Sequence, residues 1–264
     1  MEKMRERLVC WTKESNIAIV VIDNPPMNVL SFKVTEDLFE CLCEINADNN
    51  CRAMVLTGAG DKAFMAGADI NELAEIIRLS ASSLPYSKRL HETFNYLENL
   101  PIPTIAAING YALGGGLELA LTFDIRIASE NALLGVPEIK LGLFPGAGGT
   151  QRLPRLIGAS LAKEMLFFGE PLTAVESLRI GLVNRVVPHN EVLDAGRKLA
   201  LQLASRSGMA LRLVKEAVDR GMKTSLEEGC RIERDLLERA FKTDDAREGV
   251  CSFIEKKEAD FKHR

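Results

Sequence analysis

Residues 104–123 constrain this chain more than any other segment. Thr104-Ile-Ala-Ala-Ile108 is a short apolar run that predicts a buried strand. Gly110-Tyr-Ala-Leu-Gly-Gly-Gly-Leu-Glu118 follows it, and a helix is predicted over 117–123. Glycines at 114, 115 and 116 let a ligand approach bare backbone. The free N–H groups and positive end of a helix favour negative charge developing on that ligand. Glu118 falls in the first turn of the same helix, so an oxyanion donor and an acid/base group lie within one turn of chain. The window is apolar enough to suggest a membrane span, but Asn109, Glu118 and four glycines favour strand, turn and helix.

The chain has 264 residues, 47% of them hydrophobic, enough for one large domain or one domain with an appendage. Lys+Arg 33 against Asp+Glu 37 gives a net charge of −4, which is not the balance of a dedicated nucleic-acid binder. Cys10, Cys41, Cys43, Cys51, Cys230 and Cys251 form no CxxC pair, so reduced thiols in a cytosol-like compartment are expected. Cys41 and Cys43 fall two apart in a predicted helix and do not share a face. Residues 1–8 have no apolar core and contain two acids, so no signal or transit peptide is expected there.

Short apolar strands alternate with amphipathic helices in the first half. Strands are predicted over 17–23, 53–57, 125–128, 132–134 and 182–187. Helices are predicted over 32–47, capped by Ser31 or Thr35, and over 71–79 and 82–97. Helical spacing dominates after Gly149, over 160–168, 174–180, 191–204, 209–220 and 226–240. An α/β core over 1–190 and a helical region over 191–264 are therefore expected. The apolar faces of the helical region need a core of their own or a neighbouring subunit.

Several motifs admit a plain reading beside a functional one. Gly58-Ala-Gly60-Asp-Lys-Ala63 fits the GxGxxA form of a dinucleotide loop, but the next residues look extended, so a strand-to-strand turn is expected. His91, His189 and His263 lie outside HExxH or any other metal arrangement, and GxSxG is missing. No zinc site or Ser-His-Asp hydrolase is expected, and the histidines read as solvated surface residues. In Phe64-Met-Ala-Gly-Ala-Asp69 the plain reading is a tight turn with Asp69 as helix cap. The functional reading is a second backbone donor at Ala68, which with Gly115 would make a two-pronged oxyanion hole. Removing one such donor from an enzyme costs ~2.7–4 kcal/mol of transition-state stabilisation. Glu138, in Val136-Pro-Glu-Ile139, is a second carboxylate. An isolated loop glutamate is usually solvated, but if the fold brings it to Glu118 the pair suits general acid/base chemistry. Residues 144–152 read as a flexible loop entering a helix, able to wall a pocket, with Thr150 as the cap.

Together these segments resemble the crotonase family, the enoyl-CoA hydratase/isomerase superfamily. The matching pieces are Ala63-Phe-Met-Ala-Gly-Ala-Asp-Ile70, residues 106–120, Asp124-Ile125, Pro137-Glu-Ile139 and residues 145–153. Residues 243–249 and Phe253-Ile-Glu-Lys256 continue the likeness, so it runs through almost the whole chain in order. The resemblance implies an α/β fold, a spiral of ββα units with a C-terminal helical trimerisation region, assembled as a homotrimer or a homohexamer built as a dimer of trimers. It implies an acyl-CoA substrate whose thioester oxygen sits between the N–H groups of Ala68 and Gly115.

By motif, Glu118 and Glu138 match the two glutamates of the hydratases. The reaction implied is reversible addition of water to the 2,3 double bond of a 2-enoyl-CoA, giving a 3-hydroxyacyl-CoA. No metal or redox cofactor is implied, because coenzyme A is part of the substrate. Pro26, Met27 and Val29, with Ala66, Asp69, Ile70 and Gly114, would line the substrate path, and Phe253 and Lys256 would close one end of it, from a neighbouring subunit if not from this one. Lys256 would complement a CoA phosphate. Met65 stands where the family varies and would narrow or soften the pocket.

A cytoplasmic place in fatty acid metabolism, as in β-oxidation, accompanies this resemblance. The rivals on the same fold are a Δ3,Δ2-enoyl-CoA isomerase, which would use one carboxylate, and a dehydratase acting on a special acyl-CoA. The motifs do not choose between straight, branched, cyclic and carboxylated acyl groups. Some members bind RNA through a basic helix; here Arg78, Lys88 and Arg89 are offset by Glu72, Glu75, Glu92 and Glu98, so nucleic acid is not the expected partner.

Overall fold

The computed structural model describes residues 7–80 and 82–263. An antiparallel pair, β1 (Val9–Glu14) and β2 (Ile17–Ile22), is followed by helix α1 (Phe32–Ala47). A unit of two strands and a helical segment then recurs. β3 (Ala53–Gly58) and β4 (Ala63–Ala66) lead into α2 (Ile70–Arg78) and α3 (Leu84–Glu98). β5 (Thr104–Ile108) and β6 (Tyr111–Leu113) lead into α4 (Gly115–Ala120). β7 (Ile125–Ser129) and β8 (Leu133–Gly135) lead through a 3₁₀ turn, Pro137–Leu141, into α5 (Gly149–Ile157) and α6 (Ala159–Phe168). After these come β9 (Leu172–Thr173), α7 (Ala174–Arg179), β10 (Arg185–Val187), α8 (Val192–Ala204), α9 (Gly208–Gly221), α10 (Leu226–Phe241) and α11 (Asp244–Glu255).

In each unit the first strand enters a six-stranded sheet, β1-β2-β3-β5-β7-β10, and the second enters a four-stranded sheet, β4-β6-β8-β9. From β2 onward the larger sheet is parallel, and so are the β4–β6 and β6–β8 pairs. Every unit therefore advances the chain by one strand in both sheets, which is the expected spiral of ββα units.

Strands β3 and β5 are buried throughout, which is why they read as continuous apolar runs rather than as alternating patterns. Leu38 and Leu42 of α1 and Phe94 and Leu97 of α3 cover one face of the large sheet in the main core. Leu199, Ala200 and Ala204 of α8 cover the other, against Ile19, Val55, Ile105 and Ile127. Helix α8 thus packs on the sheet, whereas α9 and α10 enclose a small core of their own around Leu213, Ile232 and Leu236.

The structure also departs from the sequence expectations in places. β1 carries no apolar alternation because it is an edge strand with only Val9 fully buried. β6 lies inside the glycine-rich motif, so residues 104–123 hold two strands in two sheets before the helix. The strand expected over 182–187 is confined to Arg185–Val187. The histidines are half-buried rather than solvated: His189 Nδ1 shares a 3.0 Å hydrogen bond with Ser129 Oγ, and His263 Nδ1 accepts from the Gly208 N–H. All six cysteines are free thiols, and Cys41 is buried while Cys43 is half-buried. Among the described residues no helix is long and apolar enough to cross a membrane, and no cluster of three metal-ligating side chains occurs.

Candidate active site

Helix α4 is held at both ends by groups distant in sequence. At its start Gly114 adopts φ 52°, ψ −124°, a conformation that favours glycine, and its N–H donates to Gly135 O at 2.8 Å. At its end the buried Arg126 side chain donates to Phe123 O at 2.6 Å and Leu182 O at 2.9 Å, with Ala120 O at 3.5 Å. A cation there complements the negative end of the helix, and burial pulls the guanidinium down to about 10. Along its side, α4 lies directly on β4: a Cβ added to Gly116 would fall 1.9 Å from Met65 O. Met65 itself is wholly buried in the main core, so it builds the wall behind the site and does not narrow an open pocket.

This seating brings Ala68 to Gly115. Ala68 forms a parallel bridge with Leu30, in which the Leu30 N–H donates to Gly67 O and the Asp69 N–H donates to Leu30 O. A parallel bridge uses the groups flanking Ala68 and turns its own N–H to the opposite side. On Gly115 an added Cβ would lie 2.8 Å from Leu30 Cδ2 and 3.9 Å from the Ala68 nitrogen. As the first residue of α4, Gly115 has an N–H with no acceptor within the helix. The two backbone donors are therefore neighbours.

Glu118 is 3% exposed, and its Oε1 accepts the Ala147 and Gly149 N–H groups, each at 2.7 Å. Burial raises its pKa, against the opposing pull of those two N–H groups and of Arg152. Glu138 stands in the 3₁₀ turn just after β8, and the Gly114–Gly135 hydrogen bond sets that turn against α4. A Cβ on Gly114 would meet Glu138 Oε1 at 2.7 Å. Glu138 Oε2 is buried and has no hydrogen-bond partner. Burial pushes the Glu138 carboxyl up to about 7, with the Glu118 charge adding to the rise and its own backbone N–H opposing it.

Asp69 caps α2 by accepting the Asn71 N–H at 2.8 Å, as its plain reading expects, and Ile70, 56% exposed, opens that helix. The Ala66 N–H donates to Met27 O at 3.1 Å, so Met27, Ala66 and the Gly67–Ala68 turn are contiguous. Thr150 is not a cap: α5 starts at Gly149 with Gly148 before it, because the N–H groups at 147 and 149 are directed to Glu118. Phe253 and Lys256 lie at the exposed end of α11, a helix that packs on α9 and α10, so this chain does not fold them over its own glutamates.

Leu30 and Tyr86 belong to no glycine-rich junction and carry no signal in the sequence, whereas Arg152 ends the glycine-rich segment 144–152 but its partners are not legible there. Tyr86 lines a cavity of about 570 Å³ between α1, α2 and α3, with Phe32, Glu72, Ile76 and Pro85 also on its wall. The Tyr86 hydroxyl is 3.4 Å from Leu30 O. Burial raises its pKa, and the charges of Glu72, Asp69 and Glu118 add to the rise.

Comparison with known proteins shows the family. The model of the enoyl-CoA hydratase/isomerase family matches residues 12–264, and the chain belongs to that family. It is 40% identical over 258 residues to a short-chain-enoyl-CoA hydratase of Clostridium acetobutylicum, covering 97% of this chain and 98% of that one. It is 40% identical over 250 residues to a crotonyl-CoA hydratase of Syntrophomonas wolfei, covering 94% and 95% of the two chains. The crystal structure of an enoyl-CoA hydratase from Bacillus anthracis superposes with a TM-score of 0.91 at 39% identity, over 98% of this chain and all of that one.

Proposed function

We propose that this protein is an enoyl-CoA hydratase, a hydro-lyase that adds water reversibly to a 2-enoyl-CoA. The observation that carries the reading is the pairing of buried Glu118 with half-buried Glu138 beside the neighbouring N–H groups of Ala68 and Gly115. The thioester oxygen accepts from these two N–H groups, which stabilise the enolate-like charge that develops as C3 is attacked. Both hydrogen bonds made by Glu118 fall on Oε1, so Oε2 is the oxygen available to a water.

Glu118 takes a proton as the water oxygen bonds to C3, and protonated Glu138 delivers a proton to C2. The product is a 3-hydroxyacyl-CoA. The proton gained by Glu118 passes to Glu138 before the next turnover, so the pair works as two carboxyls sharing one proton. Two features support this division of labour: Glu118 has two N–H donors and Arg152 to hold its charge, while Glu138 Oε2 has no partner. The thioester supplies the electronic activation, so the reading needs no metal or redox cofactor.

The names of the two bacterial relatives support a short acyl group as the first substrate to test. Met27, Ala66, Asp69 and Ile70 border the path to the donors in this reading. The apolar groove between α9 and α10, lined by Val214, Val218, Met222, Leu226 and Leu237, supports assembly through the helical region over 191–264 into a trimer or a dimer of trimers. Phe253 and Lys256 would then act on the coenzyme A of a neighbouring subunit. A cytoplasmic role in fatty acid β-oxidation follows from the same reading, and the six free thiols agree with a reducing compartment.

The test follows loss of the enoyl thioester absorbance with crotonyl-CoA and a series of longer chains. Rapid hydration is the expected result. A folded protein that binds the thioester without hydrating it, yet moves the double bond of a 3-enoyl-CoA, would replace this reading with the isomerase.

A further inference from the structure

Arg152, on α5, joins three elements around the candidate carboxylates. Its Nη1 donates to Ala147 O at 3.1 Å. Its Nη2 donates to Glu98 Oε2 at 2.8 Å and Asn95 Oδ1 at 2.7 Å, both on α3, and its Nε donates to Glu98 Oε1 at 3.3 Å. Its side chain is 13% exposed. The peptide group it grips belongs to the turn whose N–H groups, at Ala147 and Gly149, donate to Glu118 Oε1. Between them Gly148 has φ 107°, and a Cβ there would fall 2.1 Å from Arg152 Nη1. The turn is thus clamped from outside by a guanidinium and spends its own donors inside on Glu118.

We propose that Arg152 is a positioning residue for Glu118, acting through the turn at 147–149, with Glu98 and Asn95 as its anchors on α3. The proposal rests on the reading of Glu118 as the carboxylate that activates water. Only a planar fork fits this arrangement: it presents donors in two directions, to the turn and to α3, whereas an ammonium is a point charge. A misplaced acid/base group costs up to ~100-fold in rate when its displacement reaches about 1 Å.

The charged and titratable groups that face Glu118 are Glu138 from the 3₁₀ turn, Tyr86 from α3 and Arg152 from α5. Of these only Arg152 favours the ionised form of Glu118. Its removal is therefore expected to move the acid limb of the rate profile to higher pH as well as to lower kcat.

The experiment compares Arg152→Met, Arg152→Lys, Asn95→Ala and Glu118→Gln, each checked for assembly and thermal stability. Arg152→Met is expected to lower kcat by about 10–100-fold with KM changed less than about threefold, and to raise the acid-limb pKa. Arg152→Lys should keep the acid limb near its original pH and still lose kcat. Asn95→Ala removes one exposed anchor, so it should remain folded if Arg152→Met does not, and should lose kcat severalfold at constant KM. In the Glu118→Gln background Arg152→Met should cost little more, since residues acting as one unit are not additive. If Glu118→Gln is strongly impaired yet measurable while folded Arg152→Met keeps normal kcat and an unmoved acid limb, or if the two losses multiply fully in the double variant, the positioning role is overturned. Normal turnover by Glu118→Gln would instead overturn the role of Glu118 itself.

Discussion

Single side chains in this protein derive their chemistry from what surrounds them. Glu138 is an ordinary glutamate by type, yet burial without a partner for Oε2 pushes it up to about 7 from 4.5. A folded-state pKa raised this way stabilises the fold at pH values below the unfolded pKa, near 4.5, and that contribution is lost as pH rises through about 7. Glu138→Gln removes the titration. Its melting temperature relative to the native protein is therefore expected to rise between about pH 4.5 and pH 7, which calorimetry across that range would check. The same substitution should lower hydratase kcat by ~100-fold or more and abolish the fall in rate expected of the native enzyme as Glu138 loses its proton above about pH 7; unchanged turnover would remove Glu138 from the mechanism. At Gly115 two variants separate shape from chemistry. Gly115→Ala adds a Cβ against Leu30 Cδ2 but keeps the N–H, whereas Gly115→Pro also removes the donor at a helix position that tolerates proline. The proline variant should be ~100–1,000-fold slower in kcat than the alanine variant, and equal rates would dismiss Gly115 as a donor.

At the scale of elements, the site depends on where α4 sits rather than on how stable α4 is alone. It is a six-residue helix, too short to persist in water without tertiary contacts. The β4 backbone, the Gly135 carbonyl and the buried Arg126 hold it in place. Gly116→Ala would force a methyl group into the Met65 carbonyl and is expected to cost about 3 kcal/mol of stability, with a loss of activity measurable at temperatures where the variant remains folded. A stable, fully active Gly116→Ala protein would mean that α4 can shift without disturbing Gly115 and Glu118. Sequence alone brought out the strand at 104–108, the glycines and Glu118, because period and glycine spacing are local signals. It did not bring out β6, because three residues leaving one sheet for another carry no period of their own. It also could not assign the N–H groups at 147 and 149 to Glu118, since that choice follows from packing α5 against α4.

At the scale of the whole molecule, the ββα spiral packs its large sheet between α1 and α3 on one face and α8 on the other, while α9 and α10 keep a large apolar groove open. Val218, 58% exposed, and Leu237, 53% exposed, are unusual residues for a face that meets only water. If the proposed trimer forms through this groove, replacing Val218 by Asp, alone or with Leu237→Asp, should yield monomers in analytical ultracentrifugation and leave the secondary structure intact by circular dichroism. An unchanged sedimentation coefficient would remove this groove from the proposed interface.

The main strands and helices other than β1, β6, β9 and α11, the glycine-rich junctions and the two glutamates are legible in the sequence, because hydrophobic period, turn chemistry and residue type are properties of neighbours along the chain. The meeting of Ala68 with Gly115, the pairing of Glu138 with Glu118 and the clamp of Arg152 on the turn at 147–149 belong to the tertiary structure alone. These contacts join separate turns of the spiral, and a buried carboxyl acquires its proton affinity only from the groups that folding sets around it.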